Sequence, residues 1–126
     1  MSEARLRIVT VADNSFARTI LALFVAEHDD MVLVGTALSS TAAVQVAARS
    51  KPDILLMDFS LLALDGIAAI RQIKLDTPPI HIILLTAELD PERLNSALRA
   101  GADVYLPHMT LSTKLTDTIR TVVQST

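Results

Sequence analysis

The chain has 126 residues, 51% hydrophobic, with 11 Lys and Arg against 14 Asp and Glu, three His and no Cys, for a net charge of −3. That length suits one domain, residues 1–126, with a core large enough to need no staples, and zero cysteines exclude disulfide scaffolds, thiolate zinc sites and cysteine nucleophiles. No block of basic charge marks a nucleic-acid footprint, and the longest apolar run, Ile20 to Ala26, is seven residues, far below the roughly 20 that span a bilayer. The first five residues, Met1-Ser2-Glu3-Ala4-Arg5, lack the apolar stretch of a signal peptide, so a cytoplasmic location is expected.

In chain order, Leu6 to Ala12 predicts a short strand rich in β-branched residues. Asp13-Asn14-Ser15 offers caps for a helix in which Phe16, Ile20, Leu23 and Phe24 recur at helical spacing. Met31 to Ala37, punctuated by Gly35, predicts a second strand, and Ser39-Ser40-Thr41 opens a helix carrying Val44, Ala47 and Ala48. Pro52 ends that helix before Asp53-Ile54-Leu55-Leu56-Met57-Asp58, the most apolar strand candidate. Asp65-Gly66 opens a third helix with Ile67, Ile70 and Ile73 on one face. Thr77-Pro78-Pro79 closes it, and Ile80 to Leu85 predicts a fourth strand. Asp90 as cap, Pro91 at the first position and Gly101 past the end bracket a fourth helix. Ala102 to Leu106 predicts the fifth strand, and Thr110 can cap a last helix striped by Leu115, Ile119, Val122 and Val123. Five nearly continuous apolar strands alternating with five helices predict a doubly wound α/β fold: a five-stranded parallel sheet with helices on both faces.

In such sheets, sites form beyond the carboxyl ends of the strands. The residues delivered there are Asp13 after strand one, Asp58 after strand three, Thr86 after strand four and Pro107-His108 after strand five. Two converging carboxylates need a cation or a proton between them, and Mg²⁺ suits a pair of carboxylates with waters and phosphate oxygens. The chemistry this suggests is a carboxylate accepting a phosphoryl group. Read singly, Asp13 could cap the first helix, Thr86 could be a β-branched strand end and Tyr105 a half-buried packing residue. His28 and His81 have no acidic or histidine neighbour at ligand spacing, so an exposed or strand-end position is expected.

The run Pro52-Asp53-Ile54-Leu55-Leu56-Met57-Asp58, then Asp65-Gly66, Leu85-Thr86-Ala87 and Gly101-Ala102-Asp103-Val104-Tyr105-Leu106 resembles the receiver (CheY-like) domain of bacterial two-component response regulators. The match extends over essentially the whole chain and implies a flavodoxin-like (βα)5 fold. Val11-Ala12-Asp13-Asn14 and the Gly-Ala-Asp-x-Tyr-Leu-Pro stretch are most similar to receivers attached to a helix-turn-helix output domain, which implies transcription regulation. The resemblance implies that Asp58 is the aspartate phosphorylated by a histidine kinase. It further implies that Asp13, Asp58 and the backbone carbonyl of Ser60 hold Mg²⁺, that Thr86 binds a phosphoryl oxygen, and that Tyr105 is the aromatic switch. The partners implied are a histidine kinase or phosphotransfer protein and a second copy of the chain. That homodimer would form through the fourth helix, fifth strand and fifth helix, or another helical face. Neither membrane nor direct nucleic-acid contact is implied, and the domain assists its own phosphotransfer without being an enzyme that turns over a substrate.

Three residues depart from the family pattern. Ala12 stands where the first of two adjacent acids belongs, so Mg²⁺ binding is expected to be weak. Leu62 replaces the loop proline. His108 stands where a lysine pairs with the phosphoryl group, and an unperturbed imidazole, with a pKa of about 6.5, is mostly neutral at pH 7. Ala12 and His108 also favour a different class of function, a receiver that no longer takes a phosphoryl group and acts as a dimerisation or interaction module.

Overall fold

The computed structural model describes residues 5–59, 63–87, 90–107 and 113–124. In chain order the elements are β1 (Leu6–Val11), α1 (Ser15–Ala26), β2 (Met31–Ala37), α2 (Ser40–Ser50) and β3 (Ile54–Phe59), then α3 (Ala63–Asp76), β4 (His81–Thr86), α4 (Pro91–Ala100), β5 (Val104–Pro107) and α5 (Thr113–Gln124). All strand pairs are parallel, in the order β2-β1-β3-β4-β5. The chain moves outward from β1 in one direction to β2 and in the other to β3, so the switch point lies between β1 and β3, where ligands bind in sheets of this order.

Side-chain alternation sorts the strands onto two cores. Val9, Val11, Leu55, Met57, Ile82 and Leu84 face α2, α3 and α4 through Ala43, Ala47, Ile70, Ile73 and Ala97. Ile8, Ile54, Leu56, Ile83, Leu85 and Leu106 face α1 and α5 through Leu21, Phe24, Leu115 and Ile119. Burial on both faces explains why the central strands are continuously apolar rather than alternating.

Helix boundaries follow their caps. Asn14 Oδ1 accepts from Ala17 N (2.7 Å) and Ser39 Oγ from Ala42 N (3.0 Å), while Asp90 Oδ1 accepts from Glu92 N (3.0 Å). Gly101 ends α4 at φ 131, where a side chain would also strike Lys74. At Gly35 a Cβ would stand 2.9 Å from Val46 Cγ1, so the glycine lets α2 lie close on β2. The β1–β2 register shifts here, from Ile8 opposite Leu33 to Val9 opposite Gly35.

Several expectations need correction: β1 stops at Val11, short of Ala12, β4 runs His81–Thr86 instead of Ile80 to Leu85, and α3 opens at Ala63, two residues before Asp65. The buried face of α1 is Leu21, Phe24 and Val25, whereas Phe16 is 75% and Leu23 56% exposed. In α2 the core face is Ala43 and Ala47, and Ala48 is exposed. Asp53 precedes β3 instead of belonging to it, and β5 begins at Val104, two residues later than expected. The expected Thr110 cap lies outside the described residues.

Candidate functional site

The carboxyl edge of the sheet at the switch point holds a cavity of about 170 Å³ lined by Val11, Ala12, Asp13, Ser39, Ser40, Thr41, Asp58 and Asp65. Asp13 and Asp58 therefore meet, as their places after β1 and late in β3 require. Val11 is paired with Met57, so one further step along each strand brings Ala12 beside Asp58. Ala12 is 2% exposed, buried with the α1/α5 core, and its methyl group offers no charge to the cavity. The capping role for Asp13 is ruled out, because the side chain that caps α1 is that of Asn14. Asp13 remains exposed at the cavity wall.

Thr86 ends β4 and is 4% exposed, but it does not line the cavity. It shares strand parity with Leu84, which is in register with Tyr105 on β5. Thr86 and Tyr105 thus lie on one side of the sheet, Tyr105 being two residues further back on the edge strand. Tyr105 is 41% exposed, which is compatible with half-buried packing as well as with a switch. Ser60 and His108 fall outside the described residues, as does Leu62.

Two carboxylates and a roomy, hydroxyl-flanked cavity fit Mg²⁺, which takes few protein ligands and keeps several waters. Among the described residues no three acidic or histidine side chains group tightly enough to cage a metal on their own. Asp65, in the first turn of α3, is a further carboxylate at this cavity, one that motif reading takes only as a turn and helix start. Its place at the start of the helix that follows β3 is the signal that could have found it.

Both remaining histidines are engaged in ways that sequence spacing does not show. His28 Nδ1 lies 2.8 Å from the Phe24 carbonyl and Nε2 3.1 Å from Thr116 Oγ1, so the ring joins α1 to α5. His81 Nδ1 lies 3.5 Å from Asp103 Oδ1, an acidic neighbour across the sheet that local spacing could not reveal. Neither faces the cavity.

A five-stranded 2-1-3-4-5 sheet with two aspartates at its switch point defines a class, and sequence comparison identifies it. The response regulator receiver domain matches residues 8–120, and the chain belongs to that family, a signalling domain of two-component systems. The chain is 39% identical over 100 residues to the uncharacterized transcriptional regulatory protein YhcZ of Bacillus subtilis, covering 79% of this chain and 47% of that protein. It is 30% identical over 115 residues to the response regulator protein VraR of Staphylococcus aureus, covering 91% of this chain and 55% of the relative. The chain therefore spans about half the length of these curated relatives. Among solved structures, the response regulator domain of Thermotoga maritima CheB superposes with TM-score 0.85 at 27% identity, covering 95% of this chain and 97% of that one. A LuxR-family response regulator from Aurantimonas shares the fold at TM-score 0.86 and 23% identity, over 97% of this chain and 87% of that one. Among the described residues no helix is long and apolar enough to cross a membrane.

Proposed function

We propose that this receiver domain accepts a phosphoryl group on Asp58 from the phosphohistidine of a histidine kinase or phosphotransfer protein. The observation that carries this reading is the cavity shared by Asp13 and Asp58 at the switch point. A carboxylate oxygen of Asp58 attacks phosphorus as the phosphorus–nitrogen bond breaks, and the departing imidazole keeps the electron pair of that bond. Asp13, Asp58 and the Ser60 carbonyl would hold Mg²⁺, which when bound neutralises charge on the phosphoryl oxygens. With Ala12 in place of an acid, that metal site is a weak one. The Thr86 hydroxyl then turns to a phosphoryl oxygen, and Tyr105 follows from its place on the same side of the sheet. His108 stands where the family's lysine would meet the phosphoryl group.

The domain holds a group rather than turning over a substrate, so it is a switch and not an enzyme. In the whole protein it governs an output domain of the helix-turn-helix type in the cytoplasm, without itself touching nucleic acid. An open groove lined by Val104, Lys114, Asp117, Thr118, Thr121 and Val122, next to the exposed Tyr105, supports the β5 and α5 part of a homodimer face completed by α4 or by another helical face.

Intact-mass analysis after incubation with a small phosphodonor tests the reading. One phosphate mass should appear with Mg²⁺, and little or none without it. A wild-type protein left unmodified by saturating donor would transfer the case to the interaction-module reading, for which the missing acid at Ala12 speaks.

A further inference from the structure

Ala12 takes a carboxylate from the acidic cavity, His108 stands in the sequence where the family has a lysine, and the structure holds a cation close by that neither position supplies. Arg18 is the fourth residue of α1, and side chains in a helix lean toward its N-terminus. Its guanidinium accordingly reaches back over the first turn, donating from Nη1 to the Ala12 carbonyl oxygen at 3.2 Å. Ala12 lines the acidic cavity, and Arg18 stands beside that cavity on the Ala12 carbonyl without lining it. Its neighbour one step beyond the Val11–Met57 pair is Asp58, on a strand about 4.8 Å away. Asp58 shares parity with Ile54 and Leu56, which face α1 and α5, so Arg18 approaches from the side to which Asp58 belongs. Arg120–Asp30 and His81–Asp103 are ion pairs among the described residues, and no described carboxylate pairs with Arg18.

We propose that Arg18 turns from the Ala12 carbonyl into this pocket as its permanent cation, binding the phosphoryl group on Asp58 in place of the family's lysine. This rests on Asp58 being the phosphoacceptor. An acid at position 12 would sit within reach of the guanidinium and neutralise it. Alanine there leaves Arg18 held only by a carbonyl, with N–H groups to spare for a dianion. Arginine suits the task because it stays charged at all physiological pH and presents a fork of donors that matches phosphate oxygens. The two departures then compensate: the alanine frees the arginine, and the arginine supplies the permanent charge of the family's lysine.

The test measures two affinities with opposite expected signs, for beryllofluoride in the presence of Mg²⁺ and for Mg²⁺ alone, by calorimetry or NMR on the full chain. Arg18→Gln should weaken beryllofluoride about tenfold, the scale of one lost charge-assisted hydrogen bond, while leaving Mg²⁺ affinity equal or higher, because a positive charge has gone. Arg18→Lys should recover most of the beryllofluoride affinity, and His108→Gln should change it much less than Arg18→Gln. If Arg18→Gln weakens both ligands together, Arg18 merely holds the loop after β1 in shape and the proposal fails. If it changes neither, Arg18 is a backbone clasp and the proposal fails with the phosphoacceptor reading intact. If wild type binds no beryllofluoride and takes no phosphoryl group from a small donor, the phosphoacceptor reading itself falls, and this proposal with it.

Discussion

The two edges of the sheet both carry aspartates, yet they use them in opposite ways. At the amino edge, Asp53 Oδ2 accepts from Arg7 N (2.8 Å) and Asp103 Oδ2 from Ile82 N (2.7 Å). Each acid ties the start of its own strand to the start of a neighbour. Parallel strands begin with N–H groups that have no ladder partner, so an acid there finds donors at once. Beyond the carboxyl edge the strands end in C=O groups, which repel carboxylates. The helix N-termini that open there have their own caps in Asn14, Ser39 and Asp90. Asp13 and Asp58 at that edge instead line one cavity, where a cation between them would relieve their mutual repulsion. The same residue type is architecture at one edge and, on the proposed function, chemistry at the other.

The largest effect that would break this comparison concerns Asp58. Asp58→Asn should abolish the phosphate mass gained from a small phosphodonor with Mg²⁺, because an amide cannot form the acyl phosphate, while the urea midpoint stays close to wild type. Persistent phosphorylation of the variant would locate the acceptor on another acid of the cavity, Asp13 or Asp65.

At the opposite edge the expected loss is one of stability. Asp103→Ala leaves the N–H of buried Ile82 without its acceptor and removes the acid beside His81. A buried donor left unsatisfied costs about 1–3 kcal/mol, so urea denaturation should show a loss in that range. The rate of phosphoryl uptake from a small donor should stay near that of wild type. A variant as stable as wild type would mean that the amino-edge acids are not architectural.

How much of this is legible in the sequence differs between the edges. Asp13 and Asp58 can be placed because a parallel α/β order dictates where strand ends go, and their meeting in one cavity follows from Val11 lying opposite Met57. The Asp103–His81 contact depends on how β4 and β5 line up, which no local pattern encodes. The face of α1 is not legible because Ile20 to Ala26 is apolar at every position, so periodicity offers several stripes of equal merit. Packing chose Leu21, Phe24 and Val25, leaving Phe16 and Leu23 outside. Arg18 carries no motif signal here, since its meaning depends on a helix start whose lean toward Ala12 is three-dimensional.

The smallest expected effect sharpens the contrast by restoring what the carboxyl edge lacks. Ala12→Asp puts a second carboxylate beside Asp13, and Mg²⁺ affinity depends on a few well-placed oxygens. Mg²⁺ should bind a fewfold more tightly in a titration followed by NMR. The gain should be modest, because the new carboxylate stands where the guanidinium of Arg18 already reaches the Ala12 carbonyl, and an acid shared with a cation is less available to a metal. Removing that competition separates the two influences: in an Arg18→Gln background, Ala12→Asp should give a larger gain than it does in the wild type. If Ala12→Asp leaves Mg²⁺ affinity unchanged in both backgrounds, the missing acid is irrelevant to the metal. An equal gain in the two backgrounds would show that Arg18 exerts no electrostatic hold on position 12, and that the carbonyl contact is geometry alone.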